Sequence, residues 1–166
     1  SLIDETVAAI KLLKPVPRTI GLLATDGTVR SGVLARPFEA AGIAALTPTS
    51  RDQARLMTAI YGKKGIKAGF TRGSAREAIL EVARGLVRRG AEAVVAGCTE
   101  IPLVLGPADL PVPLVDPMTA GARAAVRRSG ARLKPYDPGL IPSGPFSLTS
   151  QGASGTTRRY FSPVRR

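Results

Sequence analysis

Four short apolar runs alternate with longer amphipathic segments along this chain, and that alternation limits the folds open to it. The runs lie at 18–24, 43–46, 93–96 and 112–115. Apart from Arg18 and Thr19 at the start of the first, each run is continuously apolar, which is typical of strands buried on both faces of a sheet. The segments between the runs are long enough for right-handed crossovers. The sequence therefore predicts an α/β fold, with a doubly wound, mostly parallel four-stranded sheet and helices on both faces.

The amphipathic segments carry the start and stop signals of helices. Apolar residues recur at helical spacing over 1–13, and a second helix is predicted over 29–41, ending at Gly42. The remaining helix starts are predicted at two capping boxes, Ser50 with Gln53 and Ser74 with Glu77, and at Asp116 as an N-cap followed by Pro117.

The pattern ends after Gly130, where proline, glycine, serine and arginine follow one another without periodicity. A chain of 166 residues is long enough for one well-packed domain and too short for two ordinary ones. We therefore expect one folded domain over 1–134 and a disordered tail over 135–166.

A single cysteine and the lack of histidine exclude several kinds of chemistry. No intrachain disulfide is possible, a Cys-His hydrolase dyad cannot form within the chain, and a zinc site is not expected. The chain has no signal-peptide layout and no apolar run long enough to span a bilayer. We therefore expect a cytoplasmic protein without a metal or a membrane partner.

The net charge of +12 raises the question of nucleic-acid binding. Residues after Gly130 carry +5 of this charge, and +7 is spread over the preceding part of the chain. Arg84, Arg88 and Arg89 are predicted on the solvent face of one helix, without the interleaved aromatic residues that a platform for single strands requires. We therefore favour a solvated, arginine-rich surface over the alternative of nucleic-acid binding through the basic tail.

Polar turns follow three of the predicted strands, at 25–28, at 97–100 and at Asp116. In an open parallel sheet, ligands gather at the carboxyl ends of the strands, so these turns form the candidate site. Backbone N–H groups at such strand-to-helix junctions favour a substrate carboxylate. The same field, together with a nearby cation, is predicted to lower the pKa of Cys98 and to favour its thiolate.

The residues alone leave two alternatives open at this site. Cys98 is either a catalytic thiol or a small buried hydrophobe, which is the commoner role of a lone cysteine. Gly97 and the polar Thr99 and Glu100 beside it strengthen the catalytic interpretation. Lys67 is either an anion-binding residue or a solvated loop lysine, and spacing alone favours the second.

Five segments carry a family likeness in their order and spacing. They are LLATDGTVRSGV (22–33), LTPTSRDQ (46–53), IYGKKGIKAG (60–69), AVVAGCTEIPLVL (93–105) and VPLVDP (112–117). Together they resemble the C-terminal half of the aspartate/glutamate racemase family. The combination of Gly-Cys-Thr-Glu with the later Val-Asp-Pro is the most specific part of this likeness.

The resemblance implies one of two similar α/β domains that enclose a substrate cleft. Each domain of such a racemase supplies one catalytic cysteine, and neither pyridoxal phosphate nor a metal is needed. One thiolate removes the α-proton of the amino acid, and the opposite thiol returns a proton to the other face. The resemblance therefore assigns Cys98 as the catalytic thiol of this domain and a dicarboxylic amino acid as its substrate.

The resemblance also assigns six substrate-binding positions. They are Thr25, Gly27, Thr28, Lys67, Thr99 and Glu100. Glu100 stands where glutamate racemases carry a histidine, which points to the aspartate or broad-specificity branch. Lys67 matches a lysine suited to a side-chain carboxylate, so the resemblance reverses the preference drawn from spacing.

One departure from the family pattern is large, because the second cysteine, expected upstream of Ser1, is absent. We therefore predict an incomplete racemase that is inactive without the N-terminal domain that would supply the second thiol. Pairing of two copies as a homodimer, with two Cys98 thiols facing one site, is a less favoured way to complete it. A hydantoin racemase, an arylmalonate decarboxylase and a non-catalytic remnant that binds an anion or amino acid are the alternatives.

Overall fold

The computed structural model describes residues 1–132 of the chain. Its strands are β1 (Thr19–Leu23), β2 (Ala44–Leu46), β3 (Ala93–Ala96) and β4 (Leu114–Val115). They form one parallel sheet in the order β2-β1-β3-β4. The predicted α/β fold with a parallel four-stranded sheet is therefore confirmed. The predicted tail over 135–166 and the domain boundary at 134 lie outside the described residues.

Helices and short turns connect the strands within residues 1–132. The α-helices are α1 (Leu2–Lys11), α2 (Asp26–Ser31), α3 (Ala35–Ala40), α4 (Ser50–Tyr61), α5 (Ser74–Arg88) and α6 (Pro117–Arg128). Single 3-10 turns lie at Ile66–Ala68, Ile101–Leu103 and Pro107–Asp109. None of the helices in this described part of the chain is long and apolar enough to cross a membrane.

The helices cover both faces of the sheet and enclose two apolar cores. On one face, Ile10 of α1 belongs to the same core as Ile20 of β1. On the other face, Leu56 of α4 belongs to the same core as Leu23 of β1. All four side chains are fully buried, and burial of such side chains is the main source of stability in a layered domain. Because α6 contacts α1, it lies on the first face.

β1 is a central strand, with β2 on one side and β3 on the other. Leu23 at the end of β1 is level with Ala96 at the end of β3. Where these two strands begin, the carboxylate of Glu92 accepts hydrogen bonds from the backbone N–H groups of Arg18 and Thr19. Because the strands run in the same direction, the segments that follow β1 and β3 emerge at one edge of the sheet.

The N-cap residues of α4, α5 and α6 can be compared with the predicted ones. Asp116 is confirmed as the N-cap of α6, since its carboxylate accepts hydrogen bonds from two N–H groups of the first turn. The cap of α4 is Thr49 rather than the predicted Ser50, because the Thr49 hydroxyl makes the capping bond. The cap of α5 is Gly73 rather than the predicted Ser74, and no side chain caps this helix.

The segment after β1 also differs from its prediction. The helix predicted over 29–41 is divided into α2 and α3. Gly32 follows α2 and adopts a left-handed conformation with a φ of 64°. Glycine populates this region without steric cost, so the chain changes direction there.

Candidate functional site

The candidate site lies where β1 and β3 end, and Gly97 allows the two ends to approach closely. A Cβ atom at Gly97 would lie 2.8 Å from Cδ1 of Leu34 and 3.0 Å from Cβ of Ala24. A side chain would therefore require its neighbours to shift, which explains why glycine occupies this position. The polar turns at 25–28 and 97–100 consequently start from adjacent strand ends.

Three side chains converge on the carboxylate of Glu100. The thiol of Cys98 donates a hydrogen bond to Oε2 at 2.8 Å, and the hydroxyl of Thr99 donates one to the same oxygen at 3.1 Å. The ammonium of Lys67 lies 2.9 Å from Oε1. These four residues are named the Cys98 cluster. The structure thus brings four of the predicted site residues into one network.

Lys67 reaches this cluster from a separate loop, and Tyr61 lies beside it. The ammonium of Lys67 is 5.3 Å from the centre of the Tyr61 ring, which is within range of cation–π attraction. The side chain of Lys67 is 45% exposed, whereas that of Glu100 is 17% exposed. The ammonium is therefore able to keep Glu100 as a partner while a second anion approaches from solvent. Sequence reasoning misses Tyr61, although it shares the segment IYGKKGIKAG with Lys67.

The thiol of Cys98 is half-buried and protonated at neutral pH. Burial, and then the hydrogen bond to Glu100, raise its pKa from 9.0 to about 11. The charge of Lys67 lowers the pKa of Cys98 but is outweighed by these effects. The predicted lowering of this pKa is therefore wrong. Of the two expected causes, the cation is present as Lys67 but the helix N-terminus is not, because Cys98 is followed by the short 3-10 turn Ile101–Leu103, and the thiol is bonded to an anion.

Glu100 and Lys67 are both charged in this network. The hydrogen bond from Cys98, and then the one from Lys67, lower the pKa of Glu100 from 4.5 to about 2. The hydrogen bond to Glu100 in turn raises the pKa of Lys67. At neutral pH the cluster therefore holds a thiol, a carboxylate and an ammonium, and its sulfur carries a proton that can be donated.

The turn at 25–28 opens α2 and presents two hydroxyl groups. Thr25 is the N-cap of α2, but its side chain makes no capping bond. Its Oγ1 lies 3.3 Å from Oγ1 of Thr28. A Cβ atom at Gly27 would meet no heavy atom within 4 Å, so the space beside it is open. Within residues 1–132, no hydrogen bond or ion pair joins this turn to the Cys98 cluster.

Gln53 anchors α4 to the turn that follows β1. Its Nε2 donates hydrogen bonds to the carbonyl of Ala24 at 3.0 Å and to Oδ1 of Asp26 at 2.8 Å. One helical turn later, the sulfur of Met57 accepts a hydrogen bond from the N–H of Asp26 at 3.4 Å. Sequence reasoning places Gln53 in a capping box and in the segment LTPTSRDQ, but it does not reveal these bonds, because contacts between distant segments leave no local pattern.

Metal ligands do not cluster in the described part of the chain. Among residues 1–132, no three histidine, cysteine, aspartate or glutamate side chains are grouped so that they could hold a metal ion. The groups that this edge of the sheet offers to a small molecule are a thiol, hydroxyls, a carboxylate and an ammonium.

Comparisons with known sequences point to one family. The sequence profile described as Asp/Glu/Hydantoin racemase matches residues 1–125. An uncharacterized protein from the pnlA 3' region of Pectobacterium carotovorum subsp. carotovorum is 36% identical over 106 residues. These residues make up 63% of this chain and 66% of that protein.

Solved structures share the fold. A candidate Asp/Glu racemase from Yersinia pestis is 30% identical, with a TM-score of 0.69 over 77% of this chain and 54% of that one. The aspartate racemase of Picrophilus torridus is 28% identical, with a TM-score of 0.65 over 81% of this chain and 54% of that one. The chain therefore spans about half the length of the solved structures that it matches.

Proposed function

This chain belongs to the Asp/Glu/Hydantoin racemase family, and we propose that Cys98 transfers a proton at the α-carbon of an acidic amino acid. The main support is the hydrogen bond of 2.8 Å between the Cys98 thiol and Glu100. This bond keeps a proton on sulfur at the edge where parallel sheets bind their ligands. The proposed substrates are aspartate and glutamate, in line with the aspartate racemase of Picrophilus torridus among the similar structures.

In the proposed reaction, Cys98 acts as an acid in one direction and as a base in the other. A base on the opposite face of the substrate removes the α-proton, and the electron pair stays on the α-carbon. The S–H bond of Cys98 then breaks, and its proton bonds to the other face of the carbon, which inverts the centre. This leaves Cys98 as a thiolate and the opposite group protonated. The reverse reaction exchanges the two roles.

The charged and hydroxyl groups around Cys98 are proposed to hold the two carboxylates of the substrate. Lys67 has an exposed ammonium and would take the side-chain carboxylate while it stays paired with Glu100. The Thr25–Thr28 pair would offer one hydroxyl donor to the α-carboxylate, and Thr99, whose hydroxyl already donates to Glu100, would offer its backbone N–H. Donors at this carboxylate also stabilise the negative charge that develops when the α-proton leaves.

The opposite proton-transfer group is proposed to lie on a second domain. Cys98 is the only cysteine among the 166 residues, and the chain spans 54% of each similar solved structure. Inversion needs one proton-transfer group on each face of the carbon. This chain by itself is therefore expected to exchange the α-proton of its substrate without inverting the centre.

The test is deuterium exchange at the α-carbon, followed by proton NMR in D₂O with each enantiomer of aspartate and glutamate. One enantiomer should lose its α-proton signal without a change in optical rotation. The proton passes to sulfur, the thiol exchanges with solvent, and a deuteron returns to the same face. The rate should rise with pH up to about 11, because the thiolate is the base and that is the pKa of Cys98.

The variants Cys98→Ala and Cys98→Ser should lower this exchange rate by about 10²–10⁴-fold. Ser129→Ala, at the C-terminal end of α6, is the control and should leave the rate unchanged. Saturable binding without exchange at any pH would indicate an amino-acid-binding domain. Full exchange in Cys98→Ala would contradict the catalytic role. The same assay with a hydantoin and an arylmalonate separates the related activities.

A further inference from the structure

A second concave site lies between α4, the loop that follows it and the start of α5. Its volume is about 540 Å³. No residue of the Cys98 cluster lines it. Small-molecule sites have volumes of about 300–1,000 Å³, so this cavity is large enough to hold a ligand of its own.

Four cationic side chains line this cavity, and none of its lining residues is acidic. They are Arg51 and Arg55 of α4, and Lys63 and Lys64 of the following loop. Of these four, only Arg55 has an acidic partner within residues 1–132, and its distance from Asp52 is 3.5 Å. Like charges that share one cavity repel each other, so an anion bound among them would stabilise this arrangement.

The N-terminus of α5 contributes to the same cavity. Its first residues, Ser74 and Ala75, form part of the wall. Its N-cap is Gly73, which has no side chain to accept hydrogen bonds, whereas Thr49 and Asp116 cap α4 and α6. A helix of 15 residues with an uncapped N-terminus directs open N–H donors and a partial positive charge toward an anion.

Alanine side chains supply the apolar part of the cavity. Ala59 and Ala75 are buried beneath it, and Ala54 and Ala78 complete this surface. Their small size leaves room above them for the apolar or planar part of a ligand. The cavity therefore combines an apolar floor with a cationic rim.

From the cationic rim, the open helix N-terminus and the apolar floor, we propose that this cavity binds a small molecule with two or more phosphate groups, such as a nucleoside diphosphate. Arginine and lysine side chains bind phosphate oxygens through charge-assisted hydrogen bonds. The N–H groups at the start of α5 offer further donors to the same phosphates. This ligand is additional to the amino acid of the proposed racemase reaction.

Calorimetric titration with ADP, AMP and pyrophosphate at fixed ionic strength tests the proposal. ADP should bind saturably and more tightly than AMP, because it carries one more phosphate. Replacing Lys63 and Lys64 together by glutamine should weaken ADP binding by about tenfold or more. The control replaces Lys11 and Lys14, which are exposed and do not line the cavity. This control removes the same charge and should leave ADP binding nearly unchanged.

Ala54→Trp tests the shape of the site, because it fills the cavity without removing a charge. This variant should abolish ADP binding, and its thermal unfolding, measured in parallel, should match that of the unsubstituted chain. Equal weakening by both lysine pairs, unchanged binding in Ala54→Trp, or no saturable binding of ADP would each overturn the proposal. So would tighter binding of a short single-stranded oligonucleotide with the same dependence on Lys63 and Lys64. These measurements do not involve Cys98, so their failure is distinct from a failure of the racemase reaction.

Discussion

The turns that follow β1 and β3 start side by side but differ in how their polar groups are bonded. At 97–100, a thiol, a hydroxyl and the Lys67 ammonium all contact one carboxylate, that of Glu100. At 25–28, two hydroxyls face each other at 3.3 Å, and the one charged side chain is bonded to Gln53 of α4. The first turn therefore controls the proton on a sulfur atom, while the second leaves its hydroxyls accessible to a ligand.

Under the proposed function, this difference separates proton transfer from substrate recognition at a single edge of the sheet. A substrate that approaches the Cys98 cluster meets groups that are already paired. A carboxylate that approaches the turn at 25–28 meets hydroxyls that are bonded to each other and not to a charged group. We therefore expect substitutions in the first turn to change a pKa or a rate, and substitutions in the second to change affinity.

The largest difference between the turns is expected from one substitution made in each. Gly97→Ala places a Cβ atom 2.8 Å from Leu34 and 2.9 Å from Leu22. The free energy of unfolding should therefore fall by about 1–3 kcal/mol. Gly27→Ala adds a Cβ atom in open space within α2 and should raise this free energy by up to about 1 kcal/mol. Urea unfolding measures both free energies, and equal changes in the two variants would mean that the two turns tolerate an added side chain equally well.

A second large difference is expected in the pKa of the thiol. Glu100→Gln removes the anion to which the Cys98 thiol donates, while Lys67 remains to stabilise a thiolate. The pKa of Cys98 should fall from about 11 by about one unit or more. Because Cys98 is the only cysteine, the rate of thiol alkylation as a function of pH reports on it alone.

Asp26→Asn is the matched control for this titration, since it removes the carboxylate of the other turn. It should leave the pKa of Cys98 unchanged. A fall of the same size in both variants would show that the thiol responds to the total charge of this edge. A thiol that still titrates near 11 in Glu100→Gln would mean that burial alone raises its pKa.

A smaller effect is expected in the stability of the chain at acid pH. Glu100 has a pKa of about 2 in the folded chain, against an ordinary value of 4.5. Its contribution to stability is present above the ordinary value and is lost as the pH falls through the folded value. Between pH 4.5 and pH 2, the free energy of unfolding should therefore fall more steeply in the unsubstituted chain than in Glu100→Gln. Denaturant unfolding over this range measures the slopes, and parallel slopes would contradict the prediction.

The smallest effect is expected in the turn at 25–28. Thr25→Val and Thr28→Val each remove one hydroxyl while they keep the shape of the side chain. The affinity for aspartate should fall by about two- to tenfold in each variant, and the pKa of Cys98 should not change. Calorimetry and thiol titration of the same samples measure both quantities. A shifted thiol pKa would show that the two turns are electrostatically coupled.

Much of the fold is predictable because local sequence determines it. A continuous apolar run defines β3 with the observed bounds, and Asp116 caps α6 as predicted. The cap of α4 is misplaced by one residue, since Thr49 and Ser50 offer the same hydroxyl chemistry. The division of the helix after β1 is missed because the conformation of Gly32 is not evident from an apolar pattern.

The sequence predicts which residues form the candidate site, but it does not predict which of them are bonded to one another. The family motif identifies the residues of the Cys98 cluster, yet it does not reveal that Lys67 pairs with Glu100 or that the thiol donates to the same carboxylate. Those partners decide the direction of the thiol pKa, which is where the prediction is wrong. The bond from Gln53 to Ala24 spans 29 residues, so no local signal reveals it either.

The central position of β1 has a consequence for how the chain is made. β1 is synthesised long before β3, since Arg18 and Glu92, which bond at the starts of these strands, are 74 residues apart. Until β3 emerges, one edge of an apolar strand has no partner, and such edges promote association between chains. We therefore expect ribosome-bound chains in which Ala93–Ala96 has not yet left the exit tunnel to be held by a chaperone, and chains in which it has left the tunnel to be released.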